Sequence, residues 1–345
     1  MNLMGKFLLV GVLSAAINAA AATAPWSTYA KMPADWYASA AGLRATANIL
    51  SWQSAQGLWP KNNDTTAKPN LDPSKEIKGT FDNGATVEEM RFLARAFRAT
   101  MSARCEAAFL RGLDGILAAQ YPTGGWPQFY PPGPQYHRHI TFNDGAMVRV
   151  LKFLREAATS SDYEFVPEDK RRAAQSAFDR GVACILKCQV VVNGQPTVWC
   201  AQHDEKDLSV RPARKYELIS LSGAESAGVL EFLMSLDAPT PEVKRAVQGG
   251  AAWFEKSKLT GIRVEKQAGD KVVVSDSAAP PLWARFYEID TNRPFFCGRD
   301  GVKKYRLADI EAERRNGYAW YGNWGESVAR QYATWSAKWL RAQSK

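Results

Sequence analysis

Apolar residues recur at i, i+3, i+4 and i+7 in several stretches, the spacing that lines one face of a helix. Two of these stretches are close copies, TFDNGATVEEMRFLARAF from Thr80 and TFNDGAMVRVLKFLREAA from Thr141. A third, SLSGAESAGVLEFLMSL from Ser220, is degenerate. Their closing patterns agree: Met90-x-Phe92-Leu93, Leu151-x-Phe153-Leu154 and Leu230-x-Phe232-Leu233. Each block is preceded by Ile-Leu-x-x-Gln, at Ile49, Ile116 and Ile185, spaced 67 and 69 residues apart. An aromatic loop follows each: Gly57-Leu58-Trp59-Pro60, Gly125-Trp126-Pro127 and Val198-Trp199-Cys200. The unit is therefore helix, long loop, helix, three times over, with a further helix around Ala251 to Phe254. Such pairs cannot bury their apolar faces alone and must stack. The expected fold is mainly α, an α/α toroid of three helical hairpins with short strands and long loops lining one face. An open solenoid is the lesser alternative. The tail from Gly261, with strand-like Val272-Val273-Val274, is expected to cover one rim.

Residues 1–22 read differently. Lys6 precedes the apolar run Phe7 to Leu13 and an Ala-rich stretch, the pattern of a secretory signal cleaved after Ala22. Residues 23–345 are then one catalytic domain, exported, free of the membrane once the signal is removed, and by default a monomer. Export permits disulfides. Of five cysteines (105, 184, 188, 200, 297), Cys188 and Cys200 flank an Asn193-Gly194 turn and could bridge, whereas Cys184 and Cys188, four apart on a helix, make a poor pair. Three histidines leave little for a zinc site or a His-based triad. The formal charge of +9 invites a polyanion. Nucleic acid, anionic lipid or an acidic polysaccharide would serve; no nucleic-acid module or concentrated basic patch is present, which argues against DNA, and solvated Lys and Arg without a partner are the plain alternative.

Two constellations carry candidate chemistry. Asp82-Asn83 and Asn143-Asp144 stand at equivalent helix starts with their order swapped. Asx residues there are ordinary N-caps. Two adjacent Asx residues exceed what capping needs, and two oxygen-rich corners facing one cleft could hold Ca²⁺. The second constellation is cationic: Arg211-Pro212-Ala213-Arg214-Lys215-Tyr216-Glu217, Arg285 between Trp283 and Phe286, and Arg293 and Arg299 around Cys297. Guanidinium groups grip carboxylates bidentately. The plain alternative is local pairing with Asp204, Glu205, Asp207 or Glu217.

The motifs GGWPQFYP from Gly124, ITFNDGAM from Ile140, WCAQHDEKDL from Trp199, RPARKYEL from Arg211 and WARFYEIDTNRPFF from Trp283 resemble polysaccharide lyase family ten, the pectate lyases of α/α-toroid type. The resemblance spans nearly all of the chain after the signal. It implies an exported enzyme that cleaves α-1,4-polygalacturonate by calcium-assisted β-elimination. It further implies that Asp82 and Asp144 handle metal and carboxylate, that Asn83 and Asn143 lie on the substrate, and that Arg285 and Arg299 grip it. The base is placed at Arg214, with Arg211 as rival. Arg211, Lys215 and calcium are expected to disfavour protonated Arg214, which predicts an alkaline optimum. Three rivals stand beside this reading. A toroidal glycoside hydrolase would use Asp82 and Asp144 as its two carboxylates. A non-catalytic polysaccharide binder would use the same surface. A terpene-cyclase toroid lacks its Asp-rich motif here.

Overall fold

The computed structural model describes residues 25–72 and 74–340. The signal segment expected over 1–22 lies outside them. Eight helices of twelve residues or more carry the architecture: α1 Ala40–Ser51, α2 Val87–Thr100, α3 Ala103–Ala118, α4 Ala146–Thr159, α5 Glu168–Cys188, α6 Gly223–Met234, α7 Pro241–Lys256 and α8 Trp324–Trp339. The odd-numbered helices form one row, each packed on the next, and the even-numbered helices form a second row against it. α2, α4 and α6 bury residues around most of their circumference, while α3, α5 and α7 bury one stripe. The even row is therefore the inner layer. Among the described residues, α8 packs on α6 and α7 and makes no comparably extensive contact with α1 or α2. No described helix is long and apolar enough to cross a membrane.

The repeat in sequence is not the packed hairpin. α2 packs closely on α3 and α4 on α5, pairs joined by short connections, whereas the helices flanking each long loop pack far less on each other. One residue explains the close approach. Gly112, Gly181 and Gly250 sit where a Cβ would come within 2.9 Å of Met90, 2.4 Å of Leu151 and 2.6 Å of Leu230, so each inner helix lies against a notch in its partner. The Ile-Leu-x-x-Gln motif is a clamp between units. The Gln53, Gln120 and Gln189 amides donate to Ala108, Ala177 and Ala246 carbonyls on the next odd helix, and also back to their own loops. The loop tryptophans are core. Trp59, Trp126 and Trp199 are fully buried, and each Nε1 donates at 2.8 Å to the motif's Ile carbonyl. Trp283 repeats this on the Phe254 carbonyl. A buried indole N–H left unpaired would cost about 1–3 kcal/mol, so the bond fixes each loop's starting point.

Short antiparallel strands stitch successive loops along one rim. Gly79–Thr80 pairs with Phe129–Tyr130, Ile140–Thr141 with Gln202–His203, and Leu221–Ser222 with Phe286–Tyr287. The expected strand at Val272–Val274 lies in a hairpin, Ile262–Gln267 with Asp270–Ser275. The Cys188–Cys200 bridge is not formed: all five cysteines are free and buried, and the Cys188 sulfur lies 3.9 Å from Cys184 instead.

Candidate active site

The rim strands deliver the Asx motifs. After Thr80 and Thr141 the chain makes a short 3₁₀ turn before each helix, and the second Asx residue of each, Asn83 (φ 54°) and Asp144 (φ 50°), takes the left-handed conformation. Asn and Asp tolerate that region better than other residues with a side chain. Neither pair caps the following helix, which begins at Val87 or Ala146. The two turns pack against each other.

Their side chains fare differently. Asp82 is buried, and its Oδ2 accepts from Lys61 Nζ and from Gln128 Nε2. Its Oδ1, and Gln128 Oε1, are buried without a partner. Asp144 is open to solvent, accepts 2.7 Å from Asn143 Nδ2, and lies 3.8 Å from Arg285 Nη2. Burial, then the like charges of Glu225 and Asp82, push the Asp144 carboxyl above its ordinary value, against the pull of Arg285 and Asn143. With 44% of the side chain exposed, water weakens the burial part, and the neighbouring acids are the more durable cause. Asn83 is exposed beside them.

The third copy departs from the other two. Ser222 stands where Thr80 and Thr141 stand, since each backbone N–H bonds its loop tryptophan's carbonyl. α6 starts at once, so the two Asx positions are missing. Glu225, one turn in, fills the corner. It is buried, ion-paired with Arg285 and hydrogen-bonded by Ser222 Oγ. The Arg285 guanidinium lies 4.6 Å from the Tyr318 ring centre, and the hydroxyl of Tyr318 donates at 3.3 Å to Glu217. Glu217 holds Arg214 with two bonds, one of 2.8 Å from Nε. A chain of contacts therefore joins Asp144, Arg285 and Arg214 through Tyr318 and Glu217, with Glu225 paired to Arg285, and the turn that carries Asp82 packs on the turn that carries Asp144.

Arg299 reaches Arg214 through the Tyr216 ring, 4.5 Å from its centre, and is paired with Glu313 at 2.7 Å. Asn143 and Arg211 line a shared recess with Arg285 and Tyr318. Arg211 also pairs with Asp204 at 3.0 Å and with Asp207 at 4.0 Å. Lys215 is exposed and packs beside Gly301. The expected depression of the Arg214 pKa is reversed. Its hydrogen bonds to Glu217 hold the guanidinium above its ordinary value, while Glu217 is held below its own: burial raises it, but the Arg214 hydrogen bond and charge outweigh that.

The described residues hold a further acidic group. His139, Asp204 and Glu205 place their ligand atoms within 4.8 Å of one another. Arg138 and Arg211 already neutralise those carboxylates. The Asx corner holds a second set of acids, Asp82 with its Oδ1 unpartnered, Asp144 and Glu225, faced by Lys61 and Arg285.

Sequence reading missed Glu225, Tyr318, Lys61 and Gln128. Lys61 and Gln128 occupy the same position after Trp-Pro in their two loops, and that equivalence was visible in the repeat.

The site is thus a cluster of acids and arginines carried on the rim of a two-layered helical scaffold. The pectic acid lyase family model matches residues 53–329, and the chain belongs to that family. Among solved structures, the family 10 polysaccharide lyase from Cellvibrio cellulosa is 38% identical with a TM-score of 0.78, the match covering 88% of this chain and 96% of that one. A mutant of the Cellvibrio enzyme, in complex with trigalacturonic acid, is 36% identical with a TM-score of 0.78, covering 91% and 99%. No curated protein matches. The protein is thus a polysaccharide lyase of the pectate lyase type.

Proposed function

We propose that this is an exported pectate lyase that cleaves α-1,4-polygalacturonate by anti β-elimination with the aid of Ca²⁺, leaving 4,5-unsaturated oligogalacturonates. The observation that supports the reading is the contact network that joins Asp144, Arg285 and Arg214 beside the Asp82 turn, together with a relative solved with trigalacturonic acid. The two rows of helices favour the α/α toroid, and the apolar leader favours export and a domain over 23–345, acting as a monomer.

The donor set suits calcium: Asp82 Oδ1 has no partner, Asp144 is crowded by like charge, and Asn83 and Asn143 add amide oxygens beside them. Bound there, calcium supplies positive charge that withdraws electrons from the uronate carboxylate and acidifies the C5 proton. Arg285, rigid on Glu225 and Tyr318, takes the same carboxylate or its neighbour, and Arg299 takes another along the chain. Lys215 adds positive charge at the groove edge. Arg214 removes the C5 proton. The C5–H electron pair becomes the C4=C5 bond, the C4–O4 bond breaks, and O4 leaves to be protonated by water.

Glu217 opposes this step, because it favours the charged form of Arg214. The neutral fraction grows as pH rises, so turnover climbs on the alkaline side. Arg211 remains the rival base, tied instead to Asp204 and Asp207.

The test is ultraviolet absorbance of the unsaturated product on polygalacturonate, with Ca²⁺ and with EDTA. Elimination creates the chromophore and hydrolysis does not. Arg214→Ala is expected to lower kcat by about 10²–10⁴-fold, the span of a lost general base. Full activity in EDTA removes calcium from the reading, and full activity of Arg214→Ala moves the base to Arg211.

A further inference from the structure

Three guanidinium groups surround one aromatic ring. The central carbons of Arg314, Arg299 and Arg214 lie 4.4, 4.5 and 5.0 Å from the ring centre of Tyr216. They come from three separate segments: the Arg211–Glu217 loop, the turn at Gly298–Gly301 and the short helix Ala312–Gly317. The ion pairs in this group serve one guanidinium each, Glu217 for Arg214 and Glu313 for Arg299. Arg314 is buried with Nε and Nη2 unpartnered, resting against Tyr216, Tyr318 and Trp320. Tyr216 is the contact that all three share. Like charges brought this close repel, and the negative face of a ring is what offsets them without neutralising any of them.

We propose that Tyr216 is a positioning residue of the lyase, the common support that holds Arg214, Arg299 and Arg314 as one cationic wall of the groove. This rests on the reading that Arg214 and Arg299 meet the polyuronate. A carboxylate at this position would anchor one arginine and quench its charge. The ring supports all three without neutralising any of them. Without it, Arg214 keeps only its Glu217 tether, Arg299 follows Glu313 outward, and Arg314 is opened to water.

The experiment compares wild type, Tyr216→Leu, Tyr216→Phe, Arg214→Ala and the Leu/Ala double variant by product absorbance, with folding checked by circular dichroism. Tyr216→Leu is expected to lower kcat by about 10²-fold, the effect of displacing a reacting group by roughly an ångström, and to raise KM. Tyr216→Phe restores most of kcat. In the Arg214→Ala background the Leu change adds little, because both act through one group. Wild-type turnover in Tyr216→Leu overturns the proposal, as does full multiplication of the two effects or a Phe variant as slow as Leu. Should Arg214→Ala keep full activity, the base assignment is what fails. Tyr216 is then judged on KM, which rises in Tyr216→Leu if the ring orders Arg299 and stays level if it does not. Tyr216→Met, which fills the volume without a π face, repeats the test if the Leu variant is unfolded.

Discussion

Thr80–Gly84 and Thr141–Gly145 share a backbone and differ in where the acid sits. In the first turn the acid takes the helical position and is buried against Lys61 and Gln128. In the second it takes the left-handed position, open to solvent and facing Arg285 and Glu225. Swapping two neighbouring residues therefore converts one repeat's corner from an anchored acid into a presented one. Two copies of either arrangement would not make the same site: two buried acids leave no carboxylate facing Arg285, and two presented acids leave Lys61 and Gln128 without the acid they hold.

The largest effect separates the two corners by function. Asp144→Asn is expected to lower kcat/KM by about 10²–10³-fold, in the range of lost electrostatic stabilisation at a reacting centre, and to weaken calcium binding measured by titration calorimetry. Stability moves the other way. The folded-state pKa of Asp144 lies above its unfolded value, so its ionisation opposes folding once the pH exceeds that pKa. Asp144→Asn therefore gains Tm at neutral pH, and the gain vanishes in acid. Loss of activity together with loss of Tm would make Asp144 an anchoring acid like Asp82.

The repeat was legible because clamp and notch need the same residue types each time. Glutamines at the Ile-Leu-x-x-Gln position, tryptophans in the loops and matched apolar faces all recur, and each recurrence has one physical job. The Asx pairs and Arg285 were legible for the opposite reason, as polar groups in excess of what helix starts and surfaces require. Glu225 was not legible. It arises where the third copy drops two residues, so the repeat pattern aligns Ser220 with Thr80, while the backbone puts Ser222 there. The Arg214–Glu217 clamp was foreseen only as surface pairing, because a sequence does not say which of several nearby acids a guanidinium meets. Pairing of helices was also misread: sequence similarity marks the unit that repeats, and packing joined each inner helix to the one after it.

The inner helices sharpen the same comparison. Val150 and Val229 are buried at the position where the first copy has Glu89. Glu89 accepts 2.9 Å from Thr65 Oγ1, its Oε2 has no partner, and burial pushes its pKa up to about 7. The folded-state pKa is above the unfolded value, so stability is fully present below about pH 4.5 and is lost as pH rises through about 7. Glu89→Gln keeps the acceptor for Thr65 and removes the charge. It is expected to stabilise by about 3 kcal/mol at a pH well above 7, from roughly 1.4 kcal/mol per pKa unit, and to change little in acid. Denaturant unfolding at the two pH values measures it. Equal effects at both would mean that Glu89 does not titrate in this range.

The smallest effect isolates the anchored corner. Asp82→Asn keeps an acceptor for Gln128 but takes away the charge opposite Lys61. Lys61 is 26% exposed at its side chain, so water recovers part of what the pair supplied. The loss of stability is then about 1 kcal/mol, nearer the value of a surface pair than of a sealed one. The sign is opposite to that expected for Asp144→Asn at the same pH, although the two residues occupy equivalent turns. Lys61→Met in the Asp82→Asn background should recover the lost stability, because the stranded ammonium is then gone. If Asp82→Asn instead raises Tm as Asp144→Asn does, Asp82 is a second presented acid, and the division of labour between the two turns falls.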